Sequence, residues 1–338
     1  MTSSRVAKHF YSLIILAALV VGISSEARSQ GEAKKVLKLM GCRFEITAVG
    51  DNDTIAWEAV NAGIDEITRI EKLISSWDPN SQTSEINDLA GIRPVKVDRE
   101  LYDLIYRAGK VSKLTHGAFD ISFASMDKIY QFDSNEKPLP DSASVAEARL
   151  HIDFNKIILN SEETTVFLSE KGMRIGFGGI GKGYAANMAK KKMLAIEGIS
   201  GGVVNASGDL LAWGESTSAE GWLIKIANPG KEERMIGWLQ IEDMAVVTSG
   251  DYEKYFTSKG RRYAHIIDPR TGYPTHGVTS VTIVCPDAEL ADALATSVFV
   301  LGVSEGLQLI NQLNGIECII IDDAGSIHQS QNLNLNYY

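Results

Sequence analysis

The order of elements along the chain predicts an α+β fold with a largely antiparallel sheet and helices packed against it. Two observations point there. Amphipathic helices come early, short apolar strands bounded by turn residues dominate the second half, and helix then strand close the chain, a mixed rather than strictly alternating order. No segment repeats at a fixed period. The 338 residues suffice for one large domain or two ordinary ones, and 44% hydrophobic with 22% charged residues is ordinary for a globular protein.

The N-terminus is a separate object. "MTSSRVAKHF" supplies Arg5 and Lys8, an apolar run covers Phe10–Ile23, and "SSEARSQ" adds a small-residue cleavage pattern. Residues 1–30 therefore read as a secretory signal, with an uncleaved anchor as the alternative, and the run is short for a membrane span. Export predicts a periplasmic or other extracytoplasmic location for residues 31–338. "VLKLMGCRFEITAVG", Val36–Gly50, has the partial alternation of a strand. In the next stretch Ile55, Ala59, Ile64, Ile67, Ile70 and Ile74 recur at helical spacing. "SWDPNSQTSEIND" is turn-rich, and "DRELYDLIYRAGKVSKLTHG" is a second helix with Asp98 as N-cap and Gly117 near its stop. "KIILNSEETTVFLSEKGMRIGFGG" holds two short strands about a polar turn, and "GKGYAANMAKKKMLAIEG" is a helix opened by glycines. Strands then dominate, through "GGVVNASGDLLAWG", "GWLIKIANP", "MIGWLQI", "MAVVTSG", "RYAHIID" and "VTSVTIVC". The chain returns to helix in "DAELADALATSVFVLG" and "SEGLQLINQLN" and closes on the strand "ECIIIDD".

Composition excludes some functions. A net charge of −10 with no long basic run argues against nonspecific nucleic-acid binding. Cys42, Cys285 and Cys318 are too few and too odd in number for a disulfide framework, and their apolar, strand-like settings suit buried bystanders.

Four segments could carry chemistry. "IGFGGIGKGYAAN", Ile175–Asn187, leaves bare amides before a helix, with Lys182 as a cation, which suits phosphate but equally a tight strand-to-helix connection. In "ELADALATS", Asp292 and Thr296 are four apart on a helix whose face is otherwise apolar. Hard oxygens so placed suit Mg²⁺ completed by substrate phosphates, but taken alone an internal Thr296 hydrogen bond and a solvated Asp292 are the more ordinary explanation. "YAHIIDPRTGYP" sets His265 at a strand end beside a Pro-stiffened turn, where it can act as an acid or base or simply pack. In "VVNASGDLLAWG", Asn205, Ser207 and Asp209 line a turn, a common pattern.

Taken together these segments resemble the ApbE family, the FAD:protein FMN transferases. The matching pieces occur in family order: "MGCRFEI", "SSWDPNSQTSEIND", "THGAFDIS", "GFGGIGKGYAAN", "NASGDLLAWG", "TSGDYEKYF", "HIIDPRTGYP" and "ADALATS". They span nearly all of the chain after residue 30. The resemblance implies an ApbE-like, T-fold-like architecture over residues 31–338. It implies Mg²⁺-dependent transfer of FMN from FAD onto a Thr or Ser of an acceptor protein, with release of AMP. Acceptors in the family include subunits of Rnf complexes and of the Na⁺-pumping NADH:quinone reductase, and other extracytoplasmic flavoproteins. A periplasmic FAD pyrophosphatase and a flavin carrier without turnover are the alternatives. By the same resemblance, Asp292, Thr296 and Gly179 match the metal site. Met40, Trp77, Ala118, Phe119, Asp120, Lys182 and Ile267 match the flavin-nucleotide contacts, and His265 is the candidate for proton transfer. The chain departs from the family pattern at Gly176, usually Asp, at Gly179, Thr in some members, and at Asn187, commonly Asp.

Overall fold

The computed structural model describes residues 30–126, 129–133, 135–229, 235–252 and 254–337. The expected export segment lies outside these residues except for Gln30. Where the sequence reads as one strand over Val36–Gly50, the chain forms two, β1 (Gly31–Leu39) and β2 (Cys42–Gly50), paired antiparallel about Met40 and Gly41. Met40 at φ 49° and Gly41 at φ 76° supply the left-handed pair that a two-residue hairpin turn requires. The alternation continues across the turn, which is why the break was invisible to periodicity.

Helix α1 (Asp53–Ile74) starts where the Asn52 side chain accepts the Ile55 N–H at 3.0 Å, and it buries Ala59, Ile67, Ile70 and Ile74 as the spacing predicts. The turn-rich segment after it contains a short helix, α2 (Gln82–Asp88), capped by Ser81. Strand β3 (Val95–Lys96) leads into α3 (Arg99–Leu114), whose N-cap Asp98 makes no side-chain capping bond. After α4 (Ser142–Arg149), β4 (Ile157–Asn160) and β5 (Thr165–Leu168) join β3 in a small sheet ordered β3-β5-β4. Helix α5 (Gly181–Leu194) follows the glycine run.

The second half is mostly strand: β6 (Ile199–Ala206), β7 (Asp209–Gly214), β8 (Trp222–Ala227), β9 (Met235–Ile241) and β10 (Met244–Gly250). The stretch "RYAHIID" is not one strand. It splits into β12 (Arg261–Ala264), paired with β11 (Tyr255–Ser258), and β13 (Ile267–Asp268), paired with β14 (Tyr273–Pro274). His265 and Ile266 lie at the break. Strand β15 (Val278–Cys285), helix α6 (Ala288–Ile310), β16 (Glu317–Asp322), β17 (Ile327–Gln329) and β18 (Asn336–Tyr337) complete the chain. The two helical segments expected after Cys285 are continuous in α6 but for a non-helical Gly302 at φ 78°.

The core explains why the late strands are apolar throughout rather than alternating. Eight antiparallel strands form the main sheet, ordered β1-β2-β6-β7-β10-β15-β16-β17. Helices α1, α5 and α6 pack on one face, and the small sheet β18-β9-β8 covers the other. Successive side chains point to opposite faces. So Val204, Leu211, Val247, Ile283 and Ile320 enter the helix-side core, while their neighbours Val203, Ala212, Val246, Val284 and Ile319 enter the other. Helix α6 is long and apolar for the same reason: it packs on β10, β15 and α5.

Candidate active site

The turns at one end of the main sheet meet the N-terminus of α5 and the β11–β14 hairpins around a cavity of about 600 Å³. That size falls within the ordinary range for small-molecule sites. Met40, Trp77, Ala118, Phe119, Asp120, Gly179, Lys182, His265, Ile267 and Thr296 all line it. Asp292 lies just behind, buried at 2% exposure.

His265 sits where two hairpins meet. Its backbone N–H donates to the Lys254 carbonyl at 3.0 Å, and its ring Nδ1 lies 3.2 Å from the same oxygen. A carbonyl only accepts, so this contact fixes the proton on Nδ1 and leaves Nε2 with a lone pair. Burial, with the nearby positive charges of Lys254 and Lys182, pulls the imidazole down from its ordinary value to about 4, although the Lys254 carbonyl opposes this. The ring is therefore neutral at neutral pH, with the Nε2 lone pair unprotonated. Phe132 meets it edge-on, with centroids 6.4 Å apart, and stacks in turn among Tyr130, Phe256 and Tyr263. The Asp-Pro-Arg-Thr-Gly turn behaves as a rigid frame. Asp268 accepts from the Arg270 backbone at 2.8 Å and from its guanidinium at 2.9 Å, while its carbonyl takes the Gly272 N–H at 2.8 Å. The Tyr130 hydroxyl donates to the Gly272 carbonyl at 2.9 Å and ties the turn to the aromatic stack.

The opposite wall carries the expected flavin contacts. Trp77 is 81% exposed at the rim, not packed on α1, so it is available to cover a ring in the cavity. Met40 projects from its left-handed turn position, with strain retained at a site rim. Asp120 is a different kind of residue. One oxygen accepts from the Ser122 N–H and hydroxyl at 2.8 and 2.7 Å, and the other from the Phe154 N–H at 2.8 Å. Its carboxylate holds the lining segment in shape, and burial pushes its pKa up against those hydrogen bonds.

At the floor, the paired residues of α6 face the start of α5. An Asp292 oxygen accepts the Gly183 N–H at 3.0 Å and the other lies 3.6 Å from the Lys182 ammonium, which is also 3.0 Å from Asp209. The helices approach so closely that a Cβ on Gly183 would meet the Ala288 carbonyl oxygen at 2.0 Å. Thr296 Oγ1 has no hydrogen-bond partner among the described residues, whereas Ser297 next to it donates to the Ala293 carbonyl at 2.6 Å. A Cβ on Gly179 would come within 2.9 Å of the Thr296 oxygen. Both bland readings of the pair thus fail: Asp292 is not solvated and the Thr296 hydroxyl is not used internally. The donor set is a carboxylate, a hydroxyl and the adjacent main chain, all hard oxygens. It fits Mg²⁺, which keeps waters and takes substrate phosphates to complete its shell. No cluster of three His, Cys, Asp or Glu able to hold a metal occurs among the described residues.

Sequence reasoning undervalued several residues. Asp209 was one polar turn residue among three, yet it reaches Lys182. Its companions lock the turn: Asn205 accepts the Gly208 N–H at 2.9 Å and Ser207 accepts the Arg43 N–H at 3.1 Å. Lys254 also lines the cavity, and Cys42, expected as a buried bystander, is half-buried on its wall, while Cys285 and Cys318 are buried. The departures have local reasons. A Cβ on Gly176 would already stand 3.1 Å from the Ala124 methyl, and the Asn187 side chain accepts the Ala288 N–H at 3.1 Å, which an amide oxygen does as well as a carboxylate.

The ApbE family model matches residues 40–320. The chain belongs to the ApbE family. An FAD:protein FMN transferase of Klebsiella pneumoniae (strain 342) is 33% identical over 258 residues, covering 75% of this chain and 79% of that one. Another, from Treponema pallidum (strain Nichols), is 32% identical over 281 residues, 78% and 77% of the two chains. The crystal structure of the ApbE protein from Thermotoga maritima superposes with a TM-score of 0.81 at 31% identity, covering 89% of this chain and 97% of that one. The antiparallel sheet with its helix layer is thus the ApbE architecture.

Proposed function

We propose that this ApbE-family chain is a Mg²⁺-dependent FAD:protein FMN transferase. It moves FMN from FAD onto a Thr or Ser hydroxyl of an acceptor protein as a phosphoester, releases AMP, and works outside the cytoplasm. Flavin transfer is supported by the relatives, which bear that activity in their names over three quarters of this chain. The observation that carries the chemistry is His265, a neutral imidazole with its Nδ1 on the Lys254 carbonyl, in the same cavity as Lys182 and Thr296. In the reaction the acceptor oxygen attacks the phosphorus of the FMN half. Its proton passes to Nε2 of His265. The bond from that phosphorus to the bridging oxygen breaks, and the oxygen leaves with its electron pair as part of AMP. Lys182 and the positive end of α5 face the phosphate charge. Mg²⁺, when bound, would be held by Asp292, Thr296 and the Gly179 main chain and would neutralise pyrophosphate charge. Trp77 and Met40 would hold the isoalloxazine and exclude water from the reacting phosphorus.

Extracytoplasmic acceptors of the Rnf or Na⁺-pumping NADH:quinone reductase kind are the partners this reading implies. The test incubates the protein with FAD, Mg²⁺ and an acceptor domain bearing one candidate Thr. AMP release should match the acceptor's gain of a covalent FMN. AMP and free FMN with an unmodified acceptor would mean a pyrophosphatase, and uncleaved, tightly held FAD would mean a carrier.

A further inference from the structure

Lys182 stands between two buried acids on different elements. Its ammonium is 3.0 Å from Asp209 and 3.6 Å from Asp292. Asp209 opens β7 and shares the helix-side face with Leu211 and Trp213, since strand side chains alternate. The Asn205 and Ser207 hydrogen bonds fix the turn before it, so the carboxylate is held at 7% exposure at the foot of α5. Asp292 is held at 2% exposure by the Gly183 N–H.

A cation settling on Asp292 and Thr296 would meet this ammonium, and two positive charges this close repel. With Asp292 as its sole acid, Lys182 would compete with the cation for one carboxylate. If displaced, it would be stranded in a half-buried place. Asp209 offers a second acid on a different element, already the nearer of the two. We propose that Asp209 is a positioning residue for the metal site, drawing the Lys182 ammonium away from Asp292 so that the carboxylate can take a divalent cation. Lys182 then stays charged and in place toward the phosphates. The proposal rests on the reading of Asp292 and Thr296 as metal ligands.

The experiment measures Mn²⁺ affinity of the FAD-free protein from the electron paramagnetic resonance of free Mn²⁺, Mn²⁺ standing in for Mg²⁺ on hard oxygens. Four proteins form a cycle: wild type, Asp209→Asn, Lys182→Met and the double variant, each checked for folding by circular dichroism. Asp209→Asn should weaken Mn²⁺ binding by about tenfold when Lys182 is present and by less than about threefold when it is Met, the coupling expected of direct neighbours. Asp209→Glu should recover most of the loss. Equal weakening in both backgrounds would overturn the proposal, because Asp209 would then act on the cation by its charge alone. Should Asp209→Asn not fold, Lys182→Met decides: weaker Mn²⁺ binding than wild type would also overturn it. An absence of saturable binding in wild type, with FAD present as well as without it, or an unchanged affinity in Asp292→Ala, would instead sink the metal reading on which it rests.

Discussion

If His265 is the base, its depressed pKa should be visible twice, once in stability and once in rate. The perturbation is His265→Asn, which keeps an N–H to donate to the Lys254 carbonyl but removes the titrating ring. In the folded FAD-free protein the imidazole titrates at about 4, and an unfolded histidine at about 6.5. Above pH 6.5 both states hold the ring neutral and the histidine contributes no pH dependence. As pH falls below 6.5 the unfolded chain takes up a proton that the folded one refuses, so stability falls until about pH 4. The full difference is about 3 kcal/mol, with about 2 kcal/mol already lost at pH 5. Urea unfolding at pH 8 and pH 5 on both proteins isolates this term: the wild type should lose about 2 kcal/mol more than the variant. The rate has the same origin. The profile of kcat/KM reports the free enzyme, so transfer should stay level from neutrality to about pH 5 and halve near pH 4. At pH 7 the variant should be slower by roughly 10²–10⁴-fold. A kinetic midpoint near 6.5, or equal stability losses in the two proteins, would refute the buried, neutral base.

The other outcomes follow from contacts around the cavity. Gly179→Ala would bring a Cβ within 2.9 Å of Thr296 Oγ1, and a β-branched side chain in a helix has few rotamers to retreat to. It should cost about 1–3 kcal/mol of stability and slow FAD cleavage on the order of 10–100-fold in molecules that remain folded, and undiminished Mg²⁺-dependent activity would count against a ligand role for Thr296. Trp77→Ala should leave stability within about 0.5 kcal/mol, given an 81% exposed side chain. It should also weaken FAD binding by a few-fold to about tenfold with less fluorescence quenching, and unaltered quenching would place Trp77 outside the flavin contact. Met40→Asn relieves the left-handed turn but gives up the packing of the Met40 side chain on the helix-side core, so stability should change by less than about 1 kcal/mol while FAD affinity falls; an unchanged affinity would mean that the strain serves no ligand.

Periodicity revealed the helices well and the sheet less well, for a physical reason. Helix α1 has a solvent face, so its apolar stripe stood out. The central strands are covered on both faces, so neither face could be told from the other until Val203 and Val204 were seen in different cores. Breaks that keep the alternation in step, at Met40–Gly41 and at His265–Ile266, leave no trace in hydropathy. The site was legible where chemistry departs from its surroundings. Asp292 and Thr296 showed as oxygens on an apolar helix, and His265 as a lone imidazole before a stiff turn. Asp209 did not, because acids in turns are common and its partner Lys182 is distant in sequence. Lys254 did not, because its part toward His265 is played by a backbone carbonyl, which any residue type supplies.

That last point bears on how the cavity divides its tasks. The groups that the proposed reaction assigns to phosphate charge sit on the long helices: Asp292 and Thr296 on α6, Lys182 on α5, locked by an approach that allows no side chain at Gly183. The groups that the proposed reaction assigns to the flavin and the acceptor, Met40, Trp77 and His265, sit on turns between elements. A pyrophosphate offers the same charges wherever it binds, and a rigid helix pair suits it. An acceptor protein must enter, present one hydroxyl and leave, so its side of the cavity has to be built from turns. Even there His265 is not loose: the paired Lys254 contacts and the Phe132 edge hold it, and the Asp268–Arg270 frame stiffens the turn that follows. On the proposed reaction the hydroxyl comes to the histidine, which makes the acceptor's local sequence, rather than movement of His265, the natural determinant of which Thr or Ser would be modified.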